Sequence, residues 1–261
     1  MKENMEPKRL EAKAGLQWIK KGYALFMKAP LLWIVLIIIC FIAAAALSNI
    51  PVIGEPLASL LMPVVVIGLM AGCQSLEKGD ELELAHLFSG FQKQTSNLVT
   101  LGGIALVSQY LIFGAMILLG GATLVGILTG KQAADPAVFQ QALAGAGTAI
   151  ILGSVLFTLL LMSMQFAPML VFFRNVAPIM AMKLSLKAFT RNVSAMFVYG
   201  MAFMLLALLA SMPMMLGWLI LMPMVFTTMY ASFCDIFPEE KTPGSVISEN
   251  EIPDPSDPAH F

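Results

Sequence analysis

Two histidines, three cysteines and two glutamines set deep in apolar sequence are the side chains from which any chemistry in this 261-residue chain must be assembled. His86 falls on the polar face of a short amphipathic stretch and His260 near the end of the chain, so each reads as a solvated residue rather than a general base. Cys40, Cys73 and Cys234 show no ligand spacing, and two of them fall near the expected reducing side, against a disulfide framework. No glycine-rich phosphate loop, metal-ligand cluster or nucleophile beside a base is present, and the His/Glu/Asp set that phosphodiester hydrolysis requires is missing. The sequence therefore predicts no catalytic residue, no cofactor, no metal site and a non-enzymatic protein.

Gln109 and Gln165 are the best intramembrane polar candidates. Gln109 lies eleven residues past Leu98, ~16 Å along a helix, and Gln165 nine before Arg174, ~14 Å along its own. Antiparallel helices would hold them at similar depth, facing the interior and bonding one another as packing glue worth about 0.6 kcal/mol. Of 20 methionines, nine fall in Met196–Met229. Met212, Met214 and Met215 at an expected outer turn suit Cu(I), but flexible apolar packing explains them more simply. Gly68-Leu69-Met70-Ala71-Gly72 permits close helix approach, within the chain or between copies.

The elements that position these residues are set by where charge is missing. Hydrophobic residues make up 59% of the chain and charged ones 12%, against roughly 25% charged in soluble domains. From Ala29 to Leu76 the only charged side chain is Glu55, while Leu98–Thr129, Pro136–Phe173 and Val193–Cys234 hold none. A crossing takes ~20 apolar residues. Turn signals at Asn49–Pro56, Thr129–Pro136 and Ser211–Pro213 divide these blocks into six spans: Leu31–Ile50, Leu57–Leu76, Leu98–Leu128, Ala137–Phe173, Ala195–Met214 and Met215–Phe233. The predicted class is all-α, a polytopic membrane helix bundle. Residues 1–30 form a basic segment with an amphipathic interfacial helix, 31–237 the six-span domain, and 238–261 an acidic, Pro-rich tail that cannot bury a core.

Fourteen of the 15 basic residues lie before the first span, in the second-to-third and fourth-to-fifth connections, or in the tail, leaving Lys131 alone on the other side. The positive-inside rule predicts both termini in the cytoplasm and three hairpins pointing outward. The first apolar block is too long for a signal peptide. Each hairpin follows an amphipathic segment: Arg9–Lys28, Glu81–Gln94 and Pro178–Asn192. These end alike in Phe26-Met27-Lys28, Phe91-Gln92-Lys93 and Phe189-Thr190-Arg191. An aromatic that sinks and a cation that stays at headgroup level suit a helix lying in the interface. Lys13, Lys20, Lys21, Lys28, Lys93, Lys183, Lys187 and Arg191 are thus the candidate lipid-headgroup contacts. Pro63, Pro168 and Pro223 are the candidate helix kinks, with Met62-Pro63 and Met222-Pro223 in matching places of a threefold repeat. The middle hairpin is long enough to protrude beyond the bilayer or tilt strongly, and Asp135-Pro136 reads as a cap and first helical turn.

The stretch Met182-Lys183-Leu184-Ser185…Ala188-Phe189-Thr190-Arg191-Asn192, with Val198-Tyr199-Gly200, Leu221-Met222-Pro223 and the closing block Tyr230-Ala231-Ser232-Phe233-Cys234-Asp235-Ile236-Phe237, resembles a family of uncharacterised bacterial inner-membrane proteins. Gly15-Leu16-Gln17-Trp18-Ile19-Lys20-Lys21-Gly22-Tyr23-Ala24-Leu25-Phe26 is similar to their opening segment. Cys234 stands where that closing block usually carries an arginine. More distantly, Ala167-Pro168…Pro178-Ile179-Met180-Ala181…Ser185 resembles the membrane domain attached to some glycerophosphodiester phosphodiesterases. The resemblance implies a six-helix bacterial inner-membrane protein and supplies no activity. The expected partners are the phospholipid bilayer and another membrane protein or a second copy, with no nucleic acid. The expected role is an organiser or accessory protein; the alternative is a transporter or lipid-handling protein without an intramembrane charge relay.

Overall fold

The computed structural model describes residues 6–128, 136–212 and 214–238, and among these every regular element is helical. In order they are α1 (Ala14–Phe26), α2 (Pro30–Ser48), α3 (Gly54–Lys78), a 3-10 turn (Leu84–Phe88) running into the one-turn α4 (Ser89–Gln92), then α5 (Thr95–Leu128) and α6 (Pro136–Met164). There follow α7 (Ala167–Arg174), α8 (Pro178–Arg191), α9 (Val193–Ser211) and α10 (Trp218–Ile236). Prolines in the first turns of α2, α7 and α8 start those helices where the missing N–H has no intrahelical partner to lose. Six stretches are long and apolar enough to cross a membrane: Pro30–Ser48, Gly54–Lys78, Thr95–Gly121, Ala146–Arg174, Val193–Ser211 and Trp218–Ile236. The expected polytopic helix bundle is the fold observed.

Three local differences stand out. The second amphipathic segment is not a continuous helix but a 3-10 turn and a single α-turn, whose Gly90 lies against the backbone of Val64 in α3. The expected fourth span, Ala137–Phe173, breaks at Gln165 and Phe166. Pro168 therefore does not kink a continuing helix but stands in the first turn of α7. Pro63 and Pro223 do lie inside α3 and α10. The overlong third span bends at Gly121, whose φ of 57° and ψ of −153° leave the helical region. Lys131, Asp135 and the 239–261 tail lie outside the described residues.

The core lies at one end of the bundle. Fully buried side chains come from the start of α2 (Trp33, Leu36), the second half of α3 (Ile67, Met70), the start of α5 (Leu98, Leu101), α7 (Met169, Leu170) and the end of α10 (Ile236). The opposite halves of α2, α5 and α9 expose Ile42, Leu118 and Leu208, among others, as lipid-facing helices do.

The packed end is organised cyclically. The amphipathic segment of each unit docks on the returning helix of the hairpin before it in the cycle: α1 on α10, the 84–92 segment on α3, and α8 on α6. In each case the residue four places before the segment's closing phenylalanine makes the tight contact. Gly22 lies against the backbone of Thr228, so that a Cβ there would be 2.7 Å from its nitrogen. Leu87 reverses the arrangement, with its backbone against Gly68 of α3. Gly68 and Thr228 each stand five residues past the internal proline of their helix. In the third unit, Ser185 accepts from Phe166 N–H at 3.0 Å and donates to the Met162 carbonyl at 2.7 Å, satisfying the backbone opened by the α6–α7 break.

Replacing Gly22 with leucine should therefore destabilise the protein by about 1–3 kcal/mol, the cost typical of overpacking, and so lower the melting temperature of the purified protein. Gly114→Ala, at a site with nothing within 4 Å of the new Cβ, should leave it nearly unchanged; equal shifts for the two would contradict the docking.

Candidate functional site

The basic face is built from short segments that have no pairing of their own and are tied to one another. Residues 6–10 run across the ends of α8, α9 and α10. Lys8 N–H donates to the Ile236 carbonyl at 2.9 Å. Asn192, fully buried between α8 and α9, accepts from Leu10 N–H at 2.8 Å. Its amide donates to the carbonyls of Lys8 and Ala188, each at 3.0 Å. One side chain thus satisfies the non-helical N-terminal segment and the end of a helix together. Glu6 completes the tie, accepting from Lys187 Nζ at 2.6 Å and Arg191 Nη1 at 3.0 Å. Those bonds, and the charges behind them, hold its carboxyl below the usual value.

Asp235 anchors α1 from the end of α10. Its carboxylate accepts from Trp18 Nε1 at 3.0 Å and from Lys21 Nζ at 2.6 Å. Trp18 is fully buried and meets Tyr199 edge-on, ring centroids 6.1 Å apart. Tyr199 shares a 2.8 Å hydrogen bond with Thr228. Tyr230 donates to Glu77 at 2.6 Å, joining α10 to α3. Trp18, Tyr199 and Tyr230 are thus turned into the bundle and fixed by hydrogen bonds, whereas the buried Trp33 is held, among the described residues, by packing alone. His86 is also spent locally, its Nδ1 accepting from Glu83 N–H at 2.9 Å.

Most of the candidate lipid-contacting cations have partners within the chain. Lys13 pairs with Glu11 at 2.7 Å, Lys21 with Asp235, and Lys187 and Arg191 with Glu6. Lys28 Nζ donates to the Leu76 carbonyl at the end of α3, a favourable place for a cation because of the helix dipole. Lys93 Nζ lies 5.6 Å over the Phe172 ring. Among the described residues, Lys20 and Lys183 are the two of the eight with no such partner. Arg174, with a hydrogen bond to the Phe237 carbonyl at 2.9 Å, belongs to the same framework.

Gln109 and Gln165 are each half-buried, and no hydrogen bond joins them. Gln165 falls in the break between α6 and α7, so the depth argument for a continuous fourth helix does not apply to it. Asn192, Asp235, Glu6 and Ser185 are the residues that sequence reading passed over. A signal existed for two of them. Asp235 is the lone acid at the edge of the sixth span, and such a group calls for a partner. Asn192 stands between an amphipathic helix and an apolar one, a position that suits a side chain able to bond backbone.

A helical bundle with six membrane-capable stretches and a basic, hydrogen-bonded layer at one end defines a multi-pass membrane protein. The chain is similar to a probable inner membrane protein of Burkholderia thailandensis, with 32% identity over 203 residues that cover 76% of this chain and 75% of that protein. It belongs to that protein's family. No family model matches the chain, and no solved structure matches it. These comparisons give no support to the more distant likeness to phosphodiesterase-linked membrane domains.

Asn192→Ala should destabilise the protein by about 1–3 kcal/mol, the cost of orphaned buried polar groups, and should raise hydrogen exchange at the Leu10 amide. Glu6→Gln should loosen residues 6–10 without unfolding the bundle. Because folding lowers the Glu6 pKa, its contribution is present above the ordinary carboxylate value and lost as pH falls through the lowered one. Intrinsic-rate-corrected exchange at Lys8 should therefore rise at acidic pH in the wild type and vary little in Glu6→Gln.

Proposed function

We propose that this protein is a non-enzymatic organiser or accessory protein of the inner membrane. In this reading the basic face lies against the cytoplasmic, anionic leaflet and both termini are on that side. The observation that carries it is the division of labour among the cations. Most of the eight candidates have partners that tie the hairpins and the N-terminal segment together, while Lys20 and Lys183 have none among the described residues. A cation at an anionic surface gains about 1 kcal/mol. A rigid layer holding such cations in place spends little entropy on meeting lipid. No group of ionisable side chains at mid-span argues for proton or ion coupling, so the role is interaction rather than turnover. The partners are then anionic phospholipid and a further membrane protein or second copy.

A lipid-handling role is the second reading. It is favoured by an apolar groove between α9 and α10 and by the prolines inside α3 and α10.

Extraction of the protein in native lipid particles tests the first reading. Phosphatidylglycerol should be enriched about two- to threefold around the wild type relative to bulk membrane, and the enrichment should fall in the Lys20→Gln/Lys183→Gln double variant. Cross-linking in native membranes should return a stoichiometric protein partner. Purified protein that moves lipid between vesicles, with no such partner, would favour the second reading.

A further inference from the structure

We propose that the groove between α9 and α10 holds one acyl chain of an anionic glycerophospholipid, with Lys20 binding its phosphate. This rests on the reading of the basic face as an anionic-lipid surface and makes it specific to one site. The two helices meet at their outer turn, where Trp218 Nε1 donates to Ser211 Oγ at 3.0 Å. At their other end α1 is wedged between them, with Gly22 against Thr228 and Trp18 against Tyr199. A wedge at one end and a closed turn at the other leave a groove of about 430 Å³ along the hairpin.

Its polarity matches that of a lipid. Leu206 and Ala210 of α9 and Leu221 and Met224 of α10 form apolar walls, and Lys20 and Tyr23 line the groove from the wedged helix α1. A chain entering from the basic-face leaflet would run along these walls toward the outer turn and leave its phosphate at Lys20. No described residue neutralises the cation there. Lys21 and Trp18, also on α1, occupy the Asp235 carboxylate. Lys20 itself is exposed and has no partner among the described residues. A polar peptide would leave its backbone groups unsatisfied on these walls, whereas an acyl chain has none to satisfy.

Native mass spectrometry of the detergent-solubilised full chain, with phosphatidylglycerol and phosphatidylcholine as probes, tests this. One phosphatidylglycerol should be retained at about tenfold higher occupancy than phosphatidylcholine. Lys20→Gln should lower that occupancy at least fivefold without changing the melting temperature. Ala210→Phe should reduce retention of both lipids by filling the groove, and Lys183→Gln should leave the single adduct intact. A photoreactive acyl chain should label the peptide containing Leu221 and Met224. An unchanged adduct in Lys20→Gln, labelling spread over α2 and α5, or labelling of a second copy would overturn the site. Loss of the adduct beside a normal phosphatidylglycerol annulus would overturn the site alone. Absence of both adduct and annulus would overturn the basic-face reading with it.

Discussion

Everything at the packed end depends on α1 reaching the backbone of α10. Helices in lipid gain nothing from hiding apolar surface, because the surrounding chains are as apolar as they are. Contact must come from close approach and from polar groups that find one another. Gly22 supplies the first at Thr228, and the Trp18–Asp235–Lys21 set supplies the second one turn or two away. With α1 in place, α9 and α10 cannot close along their full length. The outer part of the hairpin then stands free in lipid, and the core collects where the amphipathic segments are.

The same constraint explains the polar chemistry of the basic face. Short segments and helix ends carry unpaired N–H and C=O groups, and near a membrane these need defined partners. Asn192, Ser185 and Arg174 each bond backbone left open by a helix end, a break or a non-helical segment, and Lys28 adds a bond to the Leu76 carbonyl at the end of α3. Charge at this face is therefore mostly structural. An inventory of cations by sequence overstates how much of it meets lipid, because a lysine paired with Asp235 or lying over Phe172 is already engaged. Of the eight candidate cations, Lys20 and Lys183 are the two left without such a partner among the described residues.

The three units solve one packing problem in three ways. Glycine sits on the docking segment in the first, on the returning helix in the second, and in the third a serine replaces close approach with hydrogen bonds to a broken helix. Because each segment docks on a neighbouring hairpin rather than its own, the units are interlocked.

The amino-acid pattern by itself determined the number of spans, their approximate limits and the gathering of cations between alternate spans. Those follow from the cost of charge in hydrocarbon, a property that each segment expresses alone. It also displayed the recurring Phe-x-Lys/Arg endings and the Met-Pro pair in two returning helices. Only the tertiary structure decided that Lys21 belongs to Asp235, 214 positions away, and Glu6 to Lys187 and Arg191. It alone broke the fourth span at Gln165 and gave each segment to the preceding hairpin. Partnership between distant residues depends on which backbones come close enough to touch, and hydropathy along the chain carries no information about that.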